Sequence, residues 1–213
     1  MTSLSLSKPL VIVMVGLPGA GKSFFAQQFS DTFGAPVISY DRIRFELFSE
    51  PTFSKDEQDI VDRIAHYQLC ETLKSKHTCI IDGTAAARTE RIALRKLARE
   101  AGYDTLIVWV QTDPATSRQR ATHRSPRRKN DQYNVTLTTE QYEQQAKRLT
   151  PPSTDESYIV ISGKHTYATQ LKAALTKLSS PRSEAAQQPK QPLAPARDQA
   201  ATIRPTRRNI LIR

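Results

Sequence analysis

The sequence predicts an α/β fold: a five-stranded parallel sheet with helices on both faces, a three-layer sandwich. Three observations lead there. Short apolar runs rich in β-branched residues recur between longer helical patterns. The first run, LVIVMV at 10–15, is continuous rather than alternating, as in a strand buried on both faces. Each pair of runs is separated by enough chain for a helical crossover, which parallel strands require.

The elements follow in order. After the strand at 10–15 and a glycine-rich loop, Phe25, Phe29 and Phe33 recur every four residues and mark the sheet-facing side of a helix. Gly34 ends that helix. A short strand is expected at 37–39 and a short helix at 41–48, cut by Pro51. A longer helix is expected at 54–74, with Ser54 and Glu57 spaced as a capping box. The run TCIID at 78–82 is the third strand. A helix at 88–101 closes at Gly102, and TLIVWV at 105–110 is the fourth strand. Asp113-Pro114 opens a helix reaching about 124, with proline at the favoured first position. The stretch 125–135 is polar and irregular. Thr138 caps a helix to 149, stopped by Pro151-Pro152. The fifth strand is expected at 158–161 and the last helix at 166–178.

The chain has 213 residues, which suits one α/β domain plus an appendage. The domain is expected over 1–179, with a lid at about 118–135. Residues 180–213 change character: five prolines alternate with Gln, Ala and Arg, and apolar residues are sparse. Such a segment buries too little to offset its ordering entropy and is expected to be a disordered basic tail. Only its end, NILIR, is apolar. Half of the formal net charge of +10 lies in this tail. That balance favours polyanionic partners such as nucleotides, nucleic acid or anionic lipid, without choosing among them.

Cys70 and Cys79 match no zinc or redox spacing and are expected to be packing residues. No apolar run approaches the ~20 residues of a membrane span, and the first residues lack the pattern of a signal peptide. A cytoplasmic protein without membrane association is the expectation.

The chemistry begins at Gly16, Gly21, Lys22 and Ser23, which satisfy G-x-x-x-x-G-K-[ST] between the buried strand and the Phe-bearing helix. Average composition makes a chance match rarer than about 1% in a chain of this length. Glycines let successive N–H groups curl around phosphate oxygens. The lysine reaches the terminal phosphates, the serine hydroxyl is a hard ligand for Mg²⁺, and the helix N-terminus favours the anion. Gly16, Gly19, Ala20, Gly21, Lys22, Ser23 and Phe24 are therefore the candidate nucleotide contacts.

Three further places narrow the chemistry. Asp41 and Arg44 follow the second strand, at the carboxyl edge of the sheet where ligands bind. Asp41 is placed to accept a proton from an attacking hydroxyl, or simply to cap its helix. Arg44 could hold an anionic group of an acceptor. Asp82 ends the third strand, where a carboxylate orients Mg²⁺ together with Ser23. Residues 118–129 hold six basic residues and no acid. Arg120 and Arg124 share a helical face there and could neutralise a transferring phosphoryl group.

In this arrangement, P-loop, then D-x-x-R, then D-x-T at Asp82-Gly83-Thr84, then an Arg-bearing lid, the sequence resembles the small P-loop kinases related to the kinase domain of phage polynucleotide kinase. Zeta-type toxins and small-molecule kinases are nearby relatives. The resemblance covers about 10–178 and implies a P-loop NTPase fold using ATP and Mg²⁺. By position it implies phosphate and Mg²⁺ contacts at Lys22 and Ser23, a general base at Asp41, a substrate contact at Arg44 and a donor-phosphate clamp at Arg124. Lys22 and Arg124 join Asp41 as the catalytic candidates; Thr84 joins Asp41 and Arg44 on the substrate side. One departure stands out: Ala85, Ala86 and Ala87 follow D-x-T where many relatives have Asn.

Two functions stay open on the sequence. One is a kinase moving the γ-phosphoryl of ATP to a hydroxyl of a polynucleotide, nucleoside, sugar or antibiotic, with the basic lid and Arg44 favouring an anionic acceptor. The other is a regulatory or RNA-associated ATPase working through its basic tail, which would bind nucleic acid or a protein. No N-K-x-D guanine signature is present, which favours ATP. Oligomeric state is not legible.

Overall fold

The computed structural model describes residues 8–124, 133 and 135–179. The expected tail at 180–213 and most of the irregular stretch at 125–135 lie outside the described residues.

Five strands form one all-parallel sheet in the order β2-β3-β1-β4-β5. They are β1 (Leu10–Val15), β2 (Val37–Ser39), β3 (Cys79–Asp82), β4 (Asp104–Gln111) and β5 (Tyr158–Ser162). Every residue of β1 is buried, as its unbroken apolar run requires of a central strand. Its side chains point alternately to the two faces. Leu10, Ile12 and Met14 join Phe25, Phe29, Leu106, Val108 and Ile161 in one core. Val11, Val13 and Val15 join Ile43, Val61, Leu69, Ile81 and Ala98 in the other. Each fully buried Val, Leu, Ile or Phe contributes about 1.5–3 kcal/mol, so this strand anchors both layers.

The first layer is α1 (Lys22–Phe33) and α7 (Tyr167–Ser179). The second is α2 (Tyr40–Leu47), α3 (Lys55–Lys74) and α4 (Arg88–Glu100). A third small cluster joins α5 (Pro114–Thr122) to α6 (Thr139–Arg148) through Ala121, Leu137 and Tyr142. Together α5 and α6 form an arm. Leu137 N–H donates to Ala121 O at 3.0 Å, and the Tyr142 hydroxyl to Pro114 O at 3.2 Å.

Three expectations need adjusting. Phe25 and Phe29 are buried, but Phe33 is 50% exposed, because it sits on the last residue of α1 and only stacks on Phe29. The Ser54 cap forms, with its hydroxyl accepting from Glu57 N–H at 3.3 Å, but the reciprocal half of the box does not. Glu57 instead turns to Thr52, Phe53 and Arg44. The complete box is at Thr138, which accepts from Gln141 N–H while the Gln141 side chain accepts from Thr138 N–H. Cys79 is buried as expected, whereas Cys70 is half-buried, 3.5 Å from His66 Nε2.

The topology gathers the carboxyl ends of β1, β2, β3 and β4 on one edge. Ser39 pairs with Asp82 across β2 and β3, and Val15 with Trp109 across β1 and β4. The loops carrying the sequence motifs therefore converge. Among the described residues, no helix is long and apolar enough to cross a membrane.

Candidate active site

The glycine-rich loop joins β1 to α1. Its curl is pinned through its carbonyls. Lys22 Nζ donates to Gly16 O and Leu17 O, each at 3.0 Å. Ser117 Oγ, on α5, donates to Pro18 O at 2.6 Å. Thr112 Oγ1, just past β4, donates to Ala20 O at 3.0 Å. Gly19 has φ +77°, and a Cβ there would stand 2.4 Å from Ser117 O. Only glycine fits that turn and that approach. Helix α1 starts at Lys22 with no acidic residue in its own first turn, so the positive end of its dipole is not neutralised from within the helix. Its first N–H groups have no intrahelical partner, which makes this a built anion site.

Gly163, just past β5, closes the back of the loop. A Cβ there would stand 1.9 Å from Ala20 O and 2.3 Å from Thr112 Oγ1. Its carbonyl accepts from Arg120 Nη1 at 3.1 Å. Ala20 is fully buried, so only its backbone faces the loop's interior, while Phe24 is exposed.

Asp41 is the second residue of α2. It is not the cap: Ser39 Oγ takes that role, accepting from Arg42 N–H at 3.3 Å. The Asp41 carboxylate lies in one electrostatic cluster with Lys22, Asp82, Arg44 and Arg124. Burial, reinforced by the Asp82 charge, pushes its carboxyl above the usual carboxylate range. Asp82 is pushed up by burial as well, against the Ser23 hydroxyl and the charges of Lys22 and Arg124. Burial lowers the Lys22 ammonium, while Asp82 and then Asp41 pull it back.

Asp82 is buried near the exposed Ser23 side chain, whose hydroxyl works against the upward push of burial on its carboxyl. Its Oδ1 is buried without a hydrogen-bond partner. A hydroxyl and a carboxylate with an unused oxygen are a hard donor pair that fits Mg²⁺, which takes few protein ligands and keeps water and phosphate oxygens for the rest. Among the described residues, no group of three or more His, Cys, Asp or Glu forms a metal cage.

The substrate-side residues are placed differently. Arg44 is buried, with Nη1 donating to Glu57 Oε1 at 2.6 Å and Nη2 to Gln58 Oε1. Its guanidinium lies 4.6 Å over the Phe53 ring, and Nε has no hydrogen-bond partner. Its charge is thus matched by Glu57. Thr84 lies near the Tyr40 hydroxyl, whose pKa burial raises to about 12. The loop after β3 packs on the start of α2 at Gly83, where a Cβ would stand 2.8 Å from Tyr40 Cβ.

The structure therefore brings together Lys22, Ser23, Asp41, Asp82 and Arg124. It sets Arg120 against Gly163 and Arg44 into an ion pair. Because α5 ends at Thr122 with His123 as its C-cap, Arg124 lies past the helix and does not share with Arg120 the helical face that the sequence suggested. Thr112, Ser117 and Gly163 support the loop although no sequence motif singles them out.

A family model decides the affiliation: the one described as AAA domain matches residues 11–152. The chain belongs to the AAA domain family. The AAA domain match contains the glycine-rich loop, Asp41, Asp82 and Arg124 and ends before β5. No curated protein matches the sequence. Among solved structures, the chain is similar to a sugar kinase from Janibacter sp. HTCC2649, at 19% identity and TM-score 0.59, over 80% of this chain and 94% of that one. It is similar to a gluconokinase from Sinorhizobium meliloti 1021, at 19% identity and TM-score 0.56, over 80% of this chain and 91% of that one. At such identities the likeness shows the fold: this AAA domain has the three-layer α/β architecture of P-loop NTPases.

Proposed function

We propose that this protein is a phosphotransferase that moves the γ-phosphoryl of ATP to a hydroxyl of a small acceptor. The observation that carries this reading is the cluster of Asp41, Asp82, Lys22 and Arg124 at the mouth of the glycine-rich loop. Asp41 is not needed as a cap, because Ser39 caps α2.

The chemistry divides among these side chains. Lys22 and the N-terminus of α1 hold the donor phosphates. Asp41 accepts the acceptor's hydroxyl proton as the oxygen–phosphorus bond forms and the bond to the β-phosphate oxygen breaks, releasing ADP. A carboxylate raised above its usual range is a stronger proton acceptor than an exposed one. Lys22 and Arg124 neutralise charge on the transferring group. Ser23 and Asp82 would hold Mg²⁺. Bound there, the ion would draw charge from the phosphate oxygens.

The acceptor class also takes a new direction. The sequence pointed to an anionic acceptor through the basic lid and Arg44, and the Arg44 half of that argument is weakened because its charge is matched by Glu57. Neighbours named as a sugar kinase and a gluconokinase support a small polyhydroxy acceptor ahead of a polynucleotide.

The test is transfer of label from γ-labelled ATP across sugars, sugar acids, nucleosides and 5′-hydroxyl oligonucleotides, with Lys22→Ala as the blank. Label on one acceptor class, absent from the blank, supports the reading. Free phosphate as the sole labelled product, whatever acceptor is present, overturns it.

A further inference from the structure

Arg91 lies outside the cluster described above, on the second turn of α4, and is 3% exposed. It grips the Glu156 carboxylate with two parallel bonds, Nε to Oε1 at 2.7 Å and Nη2 to Oε2 at 3.0 Å. The rest of its guanidinium reaches backbone carbonyls on two separate segments. Nη1 donates to Ala85 O at 3.3 Å and Ala86 O at 3.1 Å, on the loop that follows Asp82. The same nitrogen donates to Thr150 O at 2.9 Å, and Nη2 to Pro151 O at 3.4 Å, just past α6. Thr150 N–H in turn donates to Ala86 O at 2.9 Å.

Two features separate this from an ordinary buried ion pair. The first is what the two segments do. One carries Asp82 and Thr84. The other is the foot of the α5–α6 arm, whose first helix supplies Ser117 to the glycine-rich loop and leads into Arg124. The second is Ala85, at φ +71° and fully buried. A non-glycine residue in that region is strained and persists only where its surroundings over-determine it. The Arg91 bond to its carbonyl is part of that surrounding.

We propose that Arg91 is a positioning residue: it clamps the Asp82–Thr84 loop to the foot of the α5–α6 arm, and so sets Arg124 in register with Asp82 and Asp41. Its role in transfer rests on the kinase reading given above; the clamp itself does not.

The test uses the full chain with Arg91→Met and Glu156→Leu together. Replacing both members of the pair by apolar residues of similar volume avoids the unpaired buried charge that either change alone leaves. The carbonyls bonded by Arg91 and the Ser153 N–H bonded to Glu156 still lose a partner, so circular dichroism first establishes that the double variant is folded. Two readouts are taken. Hydrogen exchange is expected to rise about tenfold in peptides covering 82–87 and 148–152, with β1 and α1 unchanged. The kcat for transfer is expected to fall by about 100-fold, the scale of a small misplacement of reacting groups, while ATP affinity stays within about twofold. Unchanged exchange in those two segments of the folded double variant overturns the clamp. Raised exchange with wild-type kcat overturns its role in positioning. If the wild-type chain transfers phosphate to no acceptor, the kinase reading fails, and the exchange result alone decides whether Arg91 holds the two segments together.

Discussion

Arg44 and Glu57 form a buried ion pair at 2.6 Å, with both side chains only 5% exposed. Glu57 also accepts from Thr52 N–H at 2.7 Å, Thr52 Oγ1 at 2.9 Å and Phe53 N–H at 3.1 Å. One carboxylate thus organises the turn before α3 and neutralises the arginine of α2. Glu57→Ala is expected to cost about 3–5 kcal/mol, because it strands the Arg44 charge. Urea unfolding of the variant against wild type measures this; a loss below about 1 kcal/mol, the scale of an exposed pair, would show that the pair is not buried in solution.

The pH dependence of stability follows from the same group and from Glu156. Burial pushes Glu57 up, but the bonds from Arg44, Thr52 and Phe53 outweigh it, and its carboxyl sits below the usual range. The Arg91 bond holds Glu156 low against its burial. The unfolded chain then binds protons more readily than the folded one in acid. The stabilisation is fully present above the ordinary carboxylate value of about 4.3 and is lost as pH falls through the folded values. Thermal unfolding between pH 7 and pH 3 is expected to show a steep loss of Tm below about pH 4.5. Glu57→Gln should flatten that slope.

Gly163 has no unusual backbone angle, yet any side chain there meets the glycine-rich loop. With a Cβ at 1.9 Å from Ala20 O, either the loop or β5 must shift. Gly163→Ala is expected to weaken ATP binding by at least about tenfold, since about 1.4 kcal/mol is a small cost for such a displacement. Calorimetry with ATP, alongside circular dichroism to check folding, reads the effect. An unchanged affinity would mean that the loop does not depend on this contact.

Asp41 is expected to oppose stability while serving chemistry. Its folded pKa is raised by burial and by Asp82, so the folded chain binds a proton more readily than the unfolded one. Its contribution to stability therefore declines as pH rises through the ordinary carboxylate value toward the folded one. Asp41→Asn removes that penalty and is expected to raise stability at neutral pH by on the order of 1 kcal/mol. In wild type, kcat is expected to rise with pH through a value above the ordinary carboxylate range. Differential scanning and a pH–rate profile check the two halves separately.

What was legible in the sequence was local. The glycine-rich loop shows because its four fixed residues lie within eight positions, and the strands show because apolar runs report burial directly. Asp41 and Asp82 could be placed at one edge because Asp41 follows β2 and Asp82 ends β3, and a parallel sheet sends those ends the same way. Arg124 lies past α5 and was picked out only by the basic run around it. Contacts between distant segments left no spacing to read. Ser117 and Pro18 are 99 residues apart, Thr112 and Ala20 are 92, and Arg91 and Glu156 are 65. Arg44 shows the opposite problem. Its position after β2 looked like a substrate contact, and only packing of α2 on α3 brings Glu57 to its charge.

The most direct measurement compares ATP binding and single-turnover label transfer for wild type and Asp41→Asn, with the acceptor found by the screen. Asp41 lies on α2, and the carbonyls of the glycine-rich loop are pinned by Lys22, Ser117 and Thr112, so the variant is expected to bind ATP within about twofold of wild type. Transfer is expected to fall by at least about 100-fold, the loss typical of a missing general base. Transfer at the wild-type rate by Asp41→Asn would contradict the account at its centre.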